Sequence, residues 1–439
     1  MLPRPAEGPS PDGDRAAPRS GMAAFARSRD GGVALLFALA AIPLLGAVGA
    51  ALDYSRASSA RSVMALAADA AALAAANETK RQIEAGAPDG PAQDAGRAVG
   101  LDAYKGIVRP GISAADPQIA VSRAGMTISA TVTAKGTSPN VFAAFLPTQT
   151  TQLGITSTAA TSLTPFVDIA LLVDVSGSMS IGADAAAIAR LQSALGCAFA
   201  CHDGTPVKGT NMDAYQWAVS QGIPLRTQAV NTGISEFLDW LGAQPRTTTF
   251  NRVGIYSFAD TLIQTASYSS NMTMTKGNLP QTTNAASELT AATHFKEIMP
   301  LFTQTIGAAG DGSTRAQAKK LVIIATDGVQ DPNRTWTTNT ALRAQVGAFD
   351  PAQCTALKNA GVSVGVIHTA YVSLAPDWGY LATLGQPSQI GGPGTRADDV
   401  GPQLAKCASP GLYQVASSAM IAQAFQSIFS TFALTRYTQ

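Results

Sequence analysis

At 439 residues the chain exceeds what one hydrophobic core usually supports, so two or three folded units are expected. Hydrophobic residues make up 46% and charged residues only 13%, a balance low in charge for a soluble cytosolic protein and common in exported ones. A formal net charge of +1 without any dense Lys/Arg run argues against nucleic-acid binding.

Residues 1–30 are rich in Pro, Gly, Ala and Arg and read as a disordered cytoplasmic tail, with Met22 a second candidate start. Val33 to Leu52 is uncharged and mostly apolar, about 20 residues, which suffices for a transmembrane helix over 31–53. Pro43 sits mid-span, where membrane helices tolerate it. Arg15, Arg19, Arg27 and Arg29 precede the span, against Arg56 and Arg61 after it. This excess puts the N-terminus in the cytoplasm and everything after Asp53 outside, in a single-pass topology. The rival is a cleaved signal peptide with small residues at Ala47 and Gly49; an apolar stretch this long favours an anchor.

Residues 54–162 read as a helix followed by a small β module. Val63, Leu66, Ala70 and Leu73 keep helical spacing to about Ala85, then Gly86, Pro88, Gly90 and Pro91 signal a loop. A short helix is expected around Asp94–Tyr104. From Met126 the apolar positions Ile128, Ala130, Val132 and Ala134 alternate with period two between Gly125 and Gly136, as in an antiparallel strand. Helix followed by two or three strands suggests an α+β unit of pilin-like size.

Residues 163–436 alternate apolar strands with helices. Strands are expected at Phe166–Val173, Arg252–Phe258, Leu321–Ala325, Val362–His368 and Leu412–Val415. Helices are expected near Ala185–Leu195, Thr227–Leu241, Phe295–Ile306, Pro351–Ala360 and Ser418–Phe432. This is the pattern of an α/β fold, a mostly parallel Rossmann-like sheet flanked by helices, with ligands bound beyond the carboxyl ends of the strands. Trp217, Trp240, Trp336 and Trp378 are scattered and read as packing residues.

Two strand ends carry chemistry. One runs into Asp174-Val175-Ser176-Gly177-Ser178, the other into Thr326-Asp327-Gly328. In a parallel sheet both ends open at one edge, so Asp174, Ser176, Ser178 and Asp327 can converge. Carboxylates and hydroxyls are hard donors suited to Mg²⁺ or Mn²⁺, and Gly177 would let the loop turn tightly. The bland reading is that Asp174 caps a helix and the serines satisfy its first turn.

These residues resemble the von Willebrand factor type A family, whose metal-ion-dependent adhesion site begins with Asp-x-Ser-x-Ser. The resemblance spans roughly residues 165–435. It implies a threonine ligand from a second loop, chosen here as Thr293 with Thr290 the alternative, and an aspartate matched by Asp327. It also implies a coordination position left open for an acidic group of a protein partner, hence a binding device without catalytic residues.

Arg29-Asp30-Gly31-Gly32-Val33-Ala34-Leu35-Leu36-Phe37, Pro43, Leu52-Asp53-Tyr54 and Ala68-Asp69-Ala70-Ala71 are similar to the TadG-like segment of tight-adherence (Flp) pilus assembly proteins. So are Cys197-Ala-Phe-Ala-Cys201-His202-Asp203, Ile223-Pro-Leu-Arg226, Cys354 with Leu357-Lys358-Asn-Ala-Gly361, and Lys406-Cys407-Ala-Ser409. This resemblance implies an inner-membrane anchor with a periplasmic or extracellular bulk, serving pilus assembly or surface attachment through pilus-system proteins or surface ligands. Related pseudopilins carry a glutamate before the phenylalanine of this segment. Leu36 stands there instead, which argues against processing as a prepilin.

The four cysteines, Cys197, Cys201, Cys354 and Cys407, fit two disulfides in an oxidising compartment. Cys197–Cys201 would close a small loop and Cys354–Cys407 a large one, although spacing does not dictate the pairing. His202 beside Cys201 suggests a nucleophile–base pair, against which adjacent residues seldom point the right way and a disulfide would remove the thiol; His294 reads as a structural or supporting residue. Two other functions compete: a metal-dependent phosphohydrolase, against which Ser176 stands where such enzymes place a second Asp, and a passive structural pilus component.

Overall fold

The computed structural model describes residues 31–108, 113–142, 149–196, 206–245, 247–280, 292–331, 339–369 and 377–437. The tail over 1–30, Thr290, Trp336, Cys197, Cys201 and His202 lie outside them. The backbone gathers into two compact units, one from Met1–Ser122 with Ile128–Thr161 and one from Arg123–Thr127 with Ser162–Gln439.

In the first unit a single helix, α1 (Gly31–Glu84), carries both the apolar span and the alanine-rich stretch. At 1.5 Å per residue it is about 80 Å long, far more than the roughly 30 Å of a bilayer's hydrocarbon core. Along its apolar part Val33, Leu35, Leu36, Phe37, Ile42 and Leu45 are all exposed. It is long and apolar enough to cross a membrane. Beyond the span the helix changes partner. Ala67, Ala71, Ala72, Ala75 and Thr79 are buried, packed with α2 (Asp89–Ile107). Glycine is required where the two helices meet: a Cβ at Gly96 would lie 2.7 Å from the Ala75 carbonyl oxygen. Helix α2 starts five residues earlier and ends three later than Asp94–Tyr104, because Pro88 and Asp89 form its N-terminus.

The sheet of this unit runs β1 (Ser113–Ala114), β3 (Thr127–Pro139), β2 (Gln118–Ala124) in space, with β4 (Thr150–Ser162) also paired to β3. Strand β3 alternates as its period-two pattern requires, with Ile128, Ala130, Val132 and Ala134 fully buried. Gly125, at φ +59, makes the turn from β2, whereas Gly136 lies inside the strand rather than at its end. Two carboxylates of α1 fasten the unit. Asp53 accepts hydrogen bonds from the amides of Val141 and Phe142 at 2.9 and 3.0 Å, and Asp69 accepts from the Ser157 hydroxyl at 2.5 Å.

The second unit is built on a six-stranded sheet. Its strands are β5 (Val167–Asp174), β6 (Asn251–Phe258), β7 (Leu262–Ser269), β8 (Lys319–Thr326), β11 (Ser363–His368) and β12 (Tyr413–Val415). Two-residue strands β9 (Val329–Gln330) and β10 (Gly347–Ala348) pair separately. The spatial order is β12-β11-β8-β5-β6-β7, parallel throughout except for the antiparallel edge strand β7. The mostly parallel α/β fold is therefore the one expected.

Alternation along β5 and β8 divides the core by face. Ala170, Leu172, Val322 and Ile324 join a cluster with helices α3 (Ala185–Leu195), α5 (Phe295–Ile306) and α6 (Arg396–Cys407). Ile169, Leu171, Val173, Leu321 and Ile323 join the opposite cluster with α4 (Arg226–Ala243) and α7 (Ile421–Tyr437). Strands buried on both faces are why the β5 and β8 sequences are apolar runs without a polar face. Trp240 stacks on Phe237 and meets Phe429 edge-on, while Trp378 is exposed under the Arg343 guanidinium.

A disulfide joins Cys354 to Cys407, with Cα atoms 5.4 Å apart and a sequence separation of 53. It fastens the 3₁₀ turn Pro351–Cys354, ahead of the short helix Thr355–Asn359 that precedes β11, to the end of α6, beside the bond from Lys358 Nζ to the Lys406 carbonyl.

Candidate functional site

Strands β5 and β8 are adjacent and parallel, so Asp174 and Thr326-Asp327 emerge together at the carboxyl edge of the sheet. Asp174 is fully buried, and its two oxygens are used differently. Oδ1 accepts the Ser176 amide at 2.9 Å, and Oδ2 accepts the Thr326 hydroxyl at 2.6 Å. The first bond shapes its own loop; the second ties it to the neighbouring strand end. Thr326 Oγ1 in turn accepts the Gly328 amide at 2.9 Å.

Ser176 precedes a short 3₁₀ turn, Gly177–Ser180, yet its hydroxyl makes no capping bond. It lies 3.2 Å from the Ser178 hydroxyl instead. The helix that follows is capped by Asp184. A helix-capping role thus does not account for Asp174 and the two serines. Gly177 needs no left-handed backbone. Among the described residues at this edge the positive φ is at Gly328, +74, where a Cβ would meet Leu404 and Val400 within 2.8 Å.

Asp327 is fully buried, accepting the Val329 amide at 3.2 Å and facing the Arg226 guanidinium at 3.4 Å. Thr293 is also buried. Its backbone bridges to Asp331, four residues beyond Asp327, and the next amide, of His294, donates to the Ala259 carbonyl just past β6. The loops after β5, β6 and β8 and the loop before α5 are therefore joined at one edge. Asp174, Ser176, Ser178 and Asp327 come together there, with Thr293 anchored to the same loops.

The electrostatics follow from two carboxylates held out of water. Burial, then the charge of Asp327, pushes the Asp174 carboxyl up to about 7, against the pull of its hydrogen bonds from Ser176 and Thr326. A divalent cation would remove that penalty. The donors are oxygen only, carboxylate and hydroxyl, which suits a hard ion such as Mg²⁺. Among the described residues no group of three or more His, Cys, Asp or Glu side chains is placed to hold a metal, at this edge or elsewhere.

Three residues at this edge were not singled out as site residues from sequence. Thr326 links the two strand ends. Arg226, the first residue of α4, pairs with Asp327 and is itself buried. His368, the partner of Thr326 across β8 and β11, has Nδ1 3.0 Å from the Tyr413 hydroxyl. Burial, helped by the nearby Arg226 charge, lowers its pKa to about 4, which keeps it neutral. Arg226 had one sequence signal, since it ends the Ile223-Pro-Leu-Arg226 run.

Residues 31–78 match the family described as putative Flp pilus-assembly TadE/G-like, which covers most of α1. No curated protein matches the chain. Solved structures with similarity include proximal thread matrix protein 1 of the mussel byssus, at 12% identity and a TM-score of 0.35, covering 61% of this chain and 48% of that one. This chain thus spans about half of that protein. The von Willebrand domain of the type V pili tip protein Mfa5 from Porphyromonas gingivalis matches at 13% identity and a TM-score of 0.33, covering 62% of this chain and 97% of that one. The PilB minor pilin from Streptococcus sanguinis matches at 11% identity and a TM-score of 0.34, covering 74% and 80%. None is close enough for an activity to be carried across.

Proposed function

We propose that this chain, TadE/G-like over residues 31–78, is a membrane-anchored pilus-assembly or adhesion factor that binds protein partners through a Mg²⁺-completed site. In this reading α1 crosses the membrane once with its N-terminus in the cytoplasm, and the second unit works outside. The arginine excess before the span and the disulfide between Cys354 and Cys407 support that orientation.

One observation carries the site reading: the joining of Asp174, Ser176 and Ser178 to the Thr326-Asp327 strand end by the 2.6 Å bond from Thr326 to Asp174. Asp174, Ser176, Ser178, Thr293 and Asp327 would hold the ion. Bound there, Mg²⁺ supplies an electrophilic position that takes up a partner's carboxylate. The protein's own part is to hold the donors in place and keep bulk water from the carboxylates. Against a phosphohydrolase, position 176 is a serine where such enzymes place a second aspartate.

The test is crosslinking and pull-down of the full chain from membranes, with and without EDTA, beside Asp174→Ala. Partner capture that disappears in both cases supports the reading. Capture that is unchanged in both shows the domain to be a passive scaffold and ends it.

A further inference from the structure

The Arg226–Asp327 ion pair has no part in an oxygen-donor metal site, yet it lies inside this one. Both side chains are almost fully buried, at 5% and 0% exposure. Burying an ion pair is at best weakly stabilising, because desolvation offsets the attraction. The first turn of a helix is also an unfavourable place for a cation, since the helix dipole is positive there. Arg226 is nevertheless held firmly. Its amide donates to the Ile181 carbonyl at 3.0 Å, and the adjacent Thr227 hydroxyl donates to the Met179 carbonyl at 2.8 Å. The loop that carries Ser176 and Ser178 thus also fixes the start of α4, from which the Arg226 side chain reaches Asp327.

The charges have a simple consequence. With a divalent cation bound, both carboxylates are ionised, so Asp174 and Asp327 bring two negative charges against the one positive charge of Arg226. Without a metal the guanidinium is the counter-ion of Asp327. A divalent cation arriving between the same carboxylates meets a like charge already paired with Asp327. With the ion bound, the cluster carries one net positive charge.

We propose that Arg226 is a built-in competitor of the divalent cation at this site, keeping metal affinity low and exchangeable and leaving the loaded site one positive charge short of balance. An acidic group from a partner supplies that balance, so metal and partner hold one another in place. The proposal rests on the metal-site reading above and goes beyond it by assigning the residue that sets affinity.

The experiment is a Mn²⁺ titration of the full chain in detergent micelles, with free Mn²⁺ followed by its paramagnetic resonance signal. The variants are Arg226→Gln, Arg226→Met, Arg226→Lys and Asp174→Ala, each checked for folding by circular dichroism. The two neutral variants should bind Mn²⁺ at least about tenfold more tightly than wild type, as removal of a like charge at this range requires. Arg226→Met, with its long apolar stem, serves if the glutamine variant does not fold. Arg226→Lys, which keeps the charge, should stay near wild type. Equal or weaker binding by the neutral variants, with Asp174→Ala still abolishing it, overturns the role of Arg226 and leaves the metal site standing. Binding that survives in Asp174→Ala removes the metal-site reading and the proposal together.

Discussion

The Thr326 hydroxyl donates to Asp174 Oδ2 at 2.6 Å across the ends of two adjacent parallel strands, while accepting the Gly328 amide at 2.9 Å. One side chain thereby fixes the orientation of a carboxylate 152 residues away and the turn that presents Asp327.

Replacing Thr326 by valine keeps the shape and deletes both bonds. A buried amide and a buried carboxylate then lose a partner, at a cost of about 1–3 kcal/mol. Urea unfolding of Thr326→Val should show that loss, and its Mn²⁺ affinity should fall as Asp174 keeps only the Ser176 amide to orient it. Unchanged stability and affinity would show the bond to be incidental.

Asp174 makes the metal-free protein sensitive to pH. Its folded pKa, raised to about 7 from 3.8, means that the folded chain still holds a proton which the unfolded chain has released. Stability from this group is full below about pH 4 and is lost as pH rises towards 7, by at most on the order of 4 kcal/mol. His368 acts oppositely: lowered to about 4 from 6.5, it adds stability as pH rises through that window. Comparison with Asp174→Asn cancels the histidine. Thermal unfolding in EDTA should show wild type losing ground to that variant between pH 4 and 7; a constant difference would contradict the burial argument.

The disulfide should matter most to the second unit. Closing a loop of 53 residues restricts the unfolded chain by about 4 kcal/mol on the loop-entropy model. Paired Cys354→Ser and Cys407→Ser changes should cost about 2–5 kcal/mol. Circular dichroism melting with and without reductant measures it, and an unaltered melt would show that the bridge adds nothing.

Gly96 tests the close approach of α1 and α2. A leucine there must push against the Ala75 carbonyl and the Thr79 side chain, so the helices must separate or α2 must detach. Overpacking of this kind costs about 1–3 kcal/mol. Limited proteolysis of Gly96→Leu should open the segment between Ala85 and Pro88 faster than in wild type.

Most of the elements could be read from local pattern. Helices α3 and α5 fall where their apolar periodicity puts them, at Ala185–Leu195 and Phe295–Ile306. Strand β7 could not be read this way. It is an edge strand with mixed exposure and a broken register against β6, so it has neither an apolar run nor clean alternation. Helix α6 was hidden by Gly401 and Pro402 in its middle, although the Thr395–Asp398 capping box marks its start.

What the sequence determined by itself is therefore what neighbouring residues decide: the apolar span, the alternation of β3, the buried strands, and the two strand ends bearing Asp174-x-Ser-x-Ser and Thr-Asp-Gly. Tertiary structure alone decided who meets whom at the sheet edge. Arg226 reaches Asp327 across 101 residues of sequence, and Thr326 reaches Asp174 across 152. Periodicity reports which face of an element is buried, over a turn or two of chain. It carries no record of which distant side chain will share that burial, and the charge balance of this site depends on that pairing.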